Sequence, residues 1–176
     1  MTQRLEKLLS KDQEYKTFKL IVEKCGLLAD FDNLTKEMET MHKARKSRLL
    51  ISKSPSVDKL MKASAQASAY RSRNVEIMIS VQKAQRTLAS AIERMEAHIL
   101  TKYKIHLTGK SINDRSLEVK TILDNAYSKL SDFDRIVDMC KELIADIESF
   151  GWTARLLMNG LDLIYTRENI VKSKHN

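Results

Sequence analysis

An all-α fold is predicted for this chain of 176 residues: a long antiparallel helical hairpin of coiled-coil type, with shorter helices toward the N- and C-terminal ends. Three observations predict it. Only four glycines and one proline occur, too few for the turns of a β architecture. Aromatic residues make up 6% of the chain, as expected where helices pack by aliphatic ridges rather than around a bulky core. And from Val57 to Leu107 neither Gly nor Pro interrupts an apolar pattern that advances by alternating steps of three and four residues.

The elements follow in order. Leu5, Leu8, Leu9, Tyr15, Phe18 and Val22 keep helical spacing over residues 3–24, and Gly26 stands where a C-terminal cap is expected. A second helix runs from about Asp32 to Ile51 with an acidic start, and Ser54-Pro55-Ser56 ends it, because the residue before a proline is pushed out of the helical region. The long third helix carries Met78, Val81, Gln85, Leu88, Ile92, Met95, Ile99 and Tyr103 as a seam. At ~1.5 Å per residue an unbroken helix of this length reaches about 75 Å, so it must lie along another helix. Thr108-Gly109-Lys110-Ser111 breaks it, Asn113-Asp114 is the candidate cap for the next helix, and Leu123, Tyr127, Leu130, Phe133, Val137, Cys140, Ile144 and Ile147 form a second seam up to Phe150. Gly151 is read as an interruption before a short apolar helix from Trp152 to Tyr165, and Lys172–Asn176 as a frayed tail. The organisation expected is an N-terminal helical extension over 1–56, a hairpin core with its short helix over 57–171, and the tail over 172–176.

The net charge of +8 is segregated. Residues 36–110 hold 16 lysines and arginines against 6 aspartates and glutamates, a balance of +10 that leaves −2 for the rest. Clustered cations attract polyanions, because each neutralised phosphate releases condensed counterions, although a charge run can equally be a solvated helix face. No apolar run approaches the ~18–20 residues that span a bilayer, no secretory leader is legible, and the basic segments lack the exposed Trp or Phe face of a membrane-surface helix. The expectation is an intracellular protein with no membrane partner. Cys25 and Cys140 sit in apolar helical surroundings and are expected to be buried, reduced thiols.

Catalytic constellations are not found. Thr108-Gly109-Lys110-Ser111 resembles the end of a phosphate-binding loop, but position 104 is lysine where that loop needs glycine, and the preceding segment reads as helix rather than strand. His42, His98, His106 and His175 are too dispersed for a helical metal site. The sequence therefore predicts a non-enzyme with neither metal nor cofactor. What remains is a basic tract: Arg71, Arg73, Lys83, Arg86 and Arg94 on the long helix, Lys102-Tyr103-Lys104 before the turn and Lys110 after it. Lysines and arginines can follow a phosphate backbone while Tyr70 or Tyr103 stacks on bases, although Tyr103 also continues the apolar seam. Lys43, Arg45, Lys46 and Arg48 form a second basic patch, open to phosphate contact, protein contact or solvation.

The order of these features resembles the phage UvsY family of recombination mediators over residues 70–168. Ser72-Arg73-Asn74-Val75-Glu76-Ile77-Met78 opens a basic helix that leads through Lys83-Ala84-Gln85 to Tyr103 and the Thr108-Gly109-Lys110 turn. A long amphipathic helix then ends in Ile147-Glu148-Ser149-Phe150-Gly151-Trp152-Thr153-Ala154-Arg155, similar to the family's terminal stretch. The resemblance implies a non-enzymatic protein of the cytoplasm of an infected bacterial host. Such a protein binds single-stranded DNA, contacts a single-strand-binding protein, loads a RecA-like recombinase and forms ring-like homo-oligomers. It would make Lys102, Lys104 and Lys110 the DNA-contacting positions and the segment 152–164, with Trp152, Leu156, Leu157, Leu161 and Ile164, the subunit-packing surface. This sequence departs from the pattern at His106 and Leu107, where relatives often carry two aromatics, and in its first 60 residues, which have no counterpart. The alternative is a structural or adaptor coiled coil, such as a phage scaffold or an inhibitor, whose basic face docks on an acidic protein.

Overall fold

A computed structural model describes the backbone of residues 2–28, 30–53, 55–109 and 111–174, and within these the side chains except at 2–4, 27–28, 45–47, 49–53 and 169–174. Among the described residues the fold is all-α, with no strand. Six helices follow in order: α1 (Thr2–Leu9), α2 (Gln13–Leu28), α3 (Phe31–Lys53), α4 (Val57–Lys102), α5 (Ile112–Ile122) and α6 (Asp124–Lys174), with a 3₁₀ turn at Lys104–His106.

The first helix expected from the sequence is two helices. Asp12 stops α1 and caps α2, its Oδ1 accepting the backbone N–H groups of Glu14 at 2.8 Å and Tyr15 at 3.3 Å. The apolar period passes undisturbed across the break, with Leu5, Leu9, Phe18 and Val22 all buried, so periodicity alone does not reveal it. Gly26 is no cap either: it lies inside α2, and no described glycine has a positive φ. Asp30 closes the gap to α3 by accepting the Asn33 N–H. The expected bend at Ser54-Pro55 is where α3 gives way to α4, although Ser54 itself lies outside the described residues.

The α4 seam has the expected positions from Val81 onward, except that Ala84 is buried in place of Gln85 and Ile77 is more deeply buried than Met78. Gln85 sits at the edge of the seam and donates from Nε2 to Asp134. Beyond Leu107, Ser111 rather than Asn113 caps α5, with Asp114 completing a reciprocal capping box. Gly109 is required there by close approach, since a Cβ would lie 2.6 Å from the Arg115 nitrogen. The second seam buries Leu123, Phe133, Val137, Cys140 and Ile147 as expected, and Ala126, Ile136 and Leu143 as well, while Tyr127, Leu130 and Ile144 are half-buried.

Gly151 does not break the chain. α6 runs through it and through Gly160 to Lys174, so the separate Trp152–Tyr165 helix expected from the sequence is part of α6. A glycine inside a helix costs about 1 kcal/mol relative to alanine. Here the burial of Ile147, Phe150 and Ala154 against Leu60, Ala63 and Ala67 holds the helix on both sides of the glycine and offsets that cost. A Cβ at Gly151 would meet nothing within 4 Å. Gly151→Ala is therefore expected to stabilise the protein by about 0.5–1 kcal/mol, read as a higher urea midpoint at unchanged slope.

The chain forms two compact units, 1–34 with 78–137 and 35–77 with 138–176. The residues expected to form one N-terminal extension are thus divided between them, and the boundary expected at 56 falls within the second unit. In the first unit α4 and α6 are antiparallel, tied by Gln85 to Asp134 and by Tyr127, whose hydroxyl donates to Glu96 at 2.6 Å. Burial and that bond push the Tyr127 hydroxyl up to about 12. The second unit is closed by small residues, Ala63, Ala67 and Ala154, around Leu60 and Phe150. A buried polar residue, Asn74, also sits there, donating to the Tyr70 carbonyl at 3.0 Å and to Met41 sulfur at 3.1 Å. Cys25 and Cys140 are both buried and free. No helix among the described residues is long and apolar enough to cross a membrane.

Candidate nucleic-acid interface

The basic residues singled out from the sequence fall into two groups. Several are engaged by carboxylates of their own chain. Arg71 pairs with Glu148 at 3.0 Å, and Arg73 holds Glu37 through two of its nitrogens, at 2.7 and 3.1 Å, and reaches Glu76 at 3.3 Å. Arg73 accordingly keeps the Glu37 carboxyl below its ordinary range. Arg48 is buried, pairs with Asp146 at 2.9 Å and lies 5.9 Å from the Phe150 ring centre. Phosphate contact is thereby excluded for Arg48 in this conformation, because a buried guanidinium cannot reach a strand without breaking its pair.

Lys102 and Tyr103 belong to the same group. Asp12, with a side chain only 1% exposed, receives three donors on one oxygen: the Lys102 ammonium at 2.8 Å, the Tyr103 hydroxyl at 2.6 Å and His98 Nε2 at 3.1 Å. Tyr103 is buried, so of the two roles open to it the core position is the one it fills, and base stacking is excluded there. Burial alone would raise the Asp12 carboxyl, but the bonds from Lys102, Tyr103, His98 and the Glu14 backbone hold it far below the usual carboxylate range. The turn after Tyr103 is occupied too. Glu118 Oε2 accepts the Thr108 N–H at 2.8 Å, the Thr108 hydroxyl at 3.0 Å and the Gly109 N–H at 3.3 Å, so a carboxylate of α5 fills the anion position that these amides create. Lys110 lies outside the described residues, as do the side chains of Arg45 and Lys46.

The second group is open. Lys83, Arg86 and Arg94 are exposed on α4 and make no ion pair among the described residues. Their spacing of three and eight residues keeps them within one helix face of about 80°. Lys104 is exposed in the 3₁₀ turn, and Lys43 is exposed beside a groove that also carries Glu39, Glu142 and Asp146. Tyr70 is half-buried, its hydroxyl accepting from Gln66 Nε2 at 3.0 Å.

Next to Arg94 the first unit carries a groove of about 480 Å³ between α2 and α4, with Phe18, Ile21, Ala91 and Met95 among its apolar lining. Sequence reading missed it, because it depends on α2 being laid against α4. The carboxylate partners were missed as well. Asp12 had one legible signal, its place after Ser10-Lys11 in a helical run, where an aspartate can act as a cap.

The residues expected at a subunit interface fall on two faces. Leu157 and Leu161 are half-buried against the Leu60–Phe150 cluster of their own unit. Trp152 and Leu156 are 69% and 68% exposed, and Leu163, two turns further along, is 69% exposed on the same side. Ile164 is exposed at the edge of the inner face. Comparison of the chain with protein-family models, curated proteins and solved structures finds no match.

Proposed function

We propose that this chain is a non-enzymatic recombination mediator. It would hold single-stranded DNA on the open cationic face of α4 and assemble through the outer face of α6. The observation that carries this reading is the row Lys83, Arg86 and Arg94, exposed and without carboxylate partners among the described residues in a segment otherwise rich in internal ion pairs. The similarity to the UvsY family supports the same reading. It also supplies the partners, a RecA-like recombinase and a single-strand-binding protein, and a homo-oligomeric ring as the assembled form. Three phosphate contacts per subunit give weak binding alone, and assembly multiplies them on one strand.

The reading predicts that affinity for single strands falls steeply with salt. Replacing Lys83, Arg86 and Arg94 together with alanine should lower the slope of log affinity against log salt by about 2, at roughly 0.7 per single-strand phosphate lost. Electrophoretic titration with single- and double-stranded oligonucleotides at two salt concentrations measures this. Binding that is absent or insensitive to salt would defeat it.

A second reading, an adaptor or scaffold that docks on a protein, is favoured by one observation. Arg48, Arg71, Arg73 and Lys102 pair with carboxylates of this chain, so less of the segregated positive charge is available to a polyanion than composition suggests.

A further inference from the structure

We propose that the groove between α2 and α4 is a base-binding trench, taking the unstacked bases of a single strand whose phosphates lie along Lys83, Arg86 and Arg94. This rests on the nucleic-acid reading above and adds where the bases go, now that Tyr103 is committed to the core.

Three features of the groove point to that ligand. Its position is one: Arg94 of the cationic row lines it together with Thr87 and Ser90, and Lys83, one turn before Thr87 on the same stripe of α4, continues that wall beyond the groove's end. From Thr87 to Met95 this wall extends about 12 Å. Its lining is another. Phe18, Ile21, Ala91 and Met95 offer an apolar surface to the face of a base, while the hydroxyls of Thr17 and Thr87 already donate to the carbonyls of Gln13 and Lys83. With those two donors spent internally, the apolar part of the lining offers a face to any flat ring, which favours binding tolerant of sequence, while Gln13 and Ser90 remain at its polar side. The third feature is its charge. The carboxylate that lines it, Glu14, is turned to His98 Nδ1 at 2.7 Å, whereas Arg94 makes no ion pair among the described residues and is open to a phosphate at the groove's edge. A partner helix is the competing occupant, and competition by an acidic peptide would reveal it.

The test combines a change in the ligand with a change in the groove. Fluorescence anisotropy of the full chain is measured with a thymidine oligonucleotide and with an abasic strand of equal length and charge. The wild-type protein is expected to bind the thymidine strand about tenfold more tightly than the abasic one. Ala91→Trp, which fills the trench, is expected to remove that difference while leaving the salt dependence unchanged, since the phosphate contacts stay. Thr17→Trp, on the exposed rim, should act in the same direction if Ala91→Trp does not fold. Equal wild-type affinity for the two strands would overturn the trench and leave the cationic row standing. So would a fully folded Ala91→Trp that keeps the preference, or an acidic peptide that competes for the groove where strands do not. No binding of either strand by the wild-type protein would overturn the nucleic-acid reading itself.

Discussion

Replacing Asp12 with alanine is expected to destabilise the first unit by about 3 kcal/mol at neutral pH, the largest effect of any single side chain described here. Two losses combine. The cap of α2 disappears, which costs about 1 kcal/mol. The buried Tyr103 hydroxyl then loses its acceptor, which costs about 1–3 kcal/mol more, because the ring is fixed by the seam and cannot turn its oxygen to water. Lys102 contributes little to the loss, since its ammonium is exposed and regains water. Urea unfolding of wild type and Asp12→Ala at pH 7, followed by helical circular dichroism, measures the difference. A shift under 1 kcal/mol would mean that the bonds to Asp12 are not made in solution.

The same residue sets a pH dependence whose sign follows from its environment. The folded state holds the Asp12 carboxyl far below its ordinary value, whereas the unfolded chain returns it to about 3.9. A depressed acid contributes stability that is fully present above its unfolded value and is lost as pH falls below it. The gap in stability between wild type and Asp12→Asn should therefore be constant from pH 7 to about 5 and narrow progressively toward pH 2. A gap that widened in acid would contradict the assignment of the charged carboxylate as the bonded form.

The limits of what the sequence discloses have specific causes. Helix content, the end of α3 before Pro55 and most of both seams were legible because each depends on local period or on proline sterics. The break at Asp12 was not, since Leu9 and Phe18 stay in phase across it, and the continuity of α6 was not, since tertiary burial of Phe150 and Ala154 overrides the local cost of Gly151. The basic tract was legible only as composition. Whether an arginine is open depends on which carboxylate the fold lays beside it. Arg73 meets Glu37 and Lys102 meets Asp12, 36 and 90 positions away, while Lys83 meets none among the described residues. Period and spacing do not encode such pairings, and for the same reason the groove beside Arg94 could not be foreseen.

The outer stripe of α6 gives the second large effect. Trp152, Leu156 and Leu163 lie along one side of the helix, opposite the face that Ile147, Phe150 and Ala154 bury against Leu60 and its neighbours. A tryptophan and two leucines exposed together on a regular helix form an apolar stripe with no role in the protomer core, and such surfaces mark contact with protein. If the stripe joins subunits, converting all three residues to serine should return the protein from its assembled mass to that of a single chain at micromolar concentration. Losing a central tryptophan and two leucines costs an interface several kcal/mol, or more than a thousandfold in association. Helicity and the urea midpoint of the isolated subunit should hardly change. Leu157→Ser with Leu161→Ser is the internal contrast. Those side chains pack on the subunit's own core, so this pair should lower the urea midpoint. Light scattering after gel filtration separates the outcomes, and a triple variant that kept the wild-type mass would place the subunit contact elsewhere. Single-strand affinity supplies a linked readout: with the cationic row intact but the subunits apart, it should fall at least a hundredfold, because the contacts on one strand would no longer be joined.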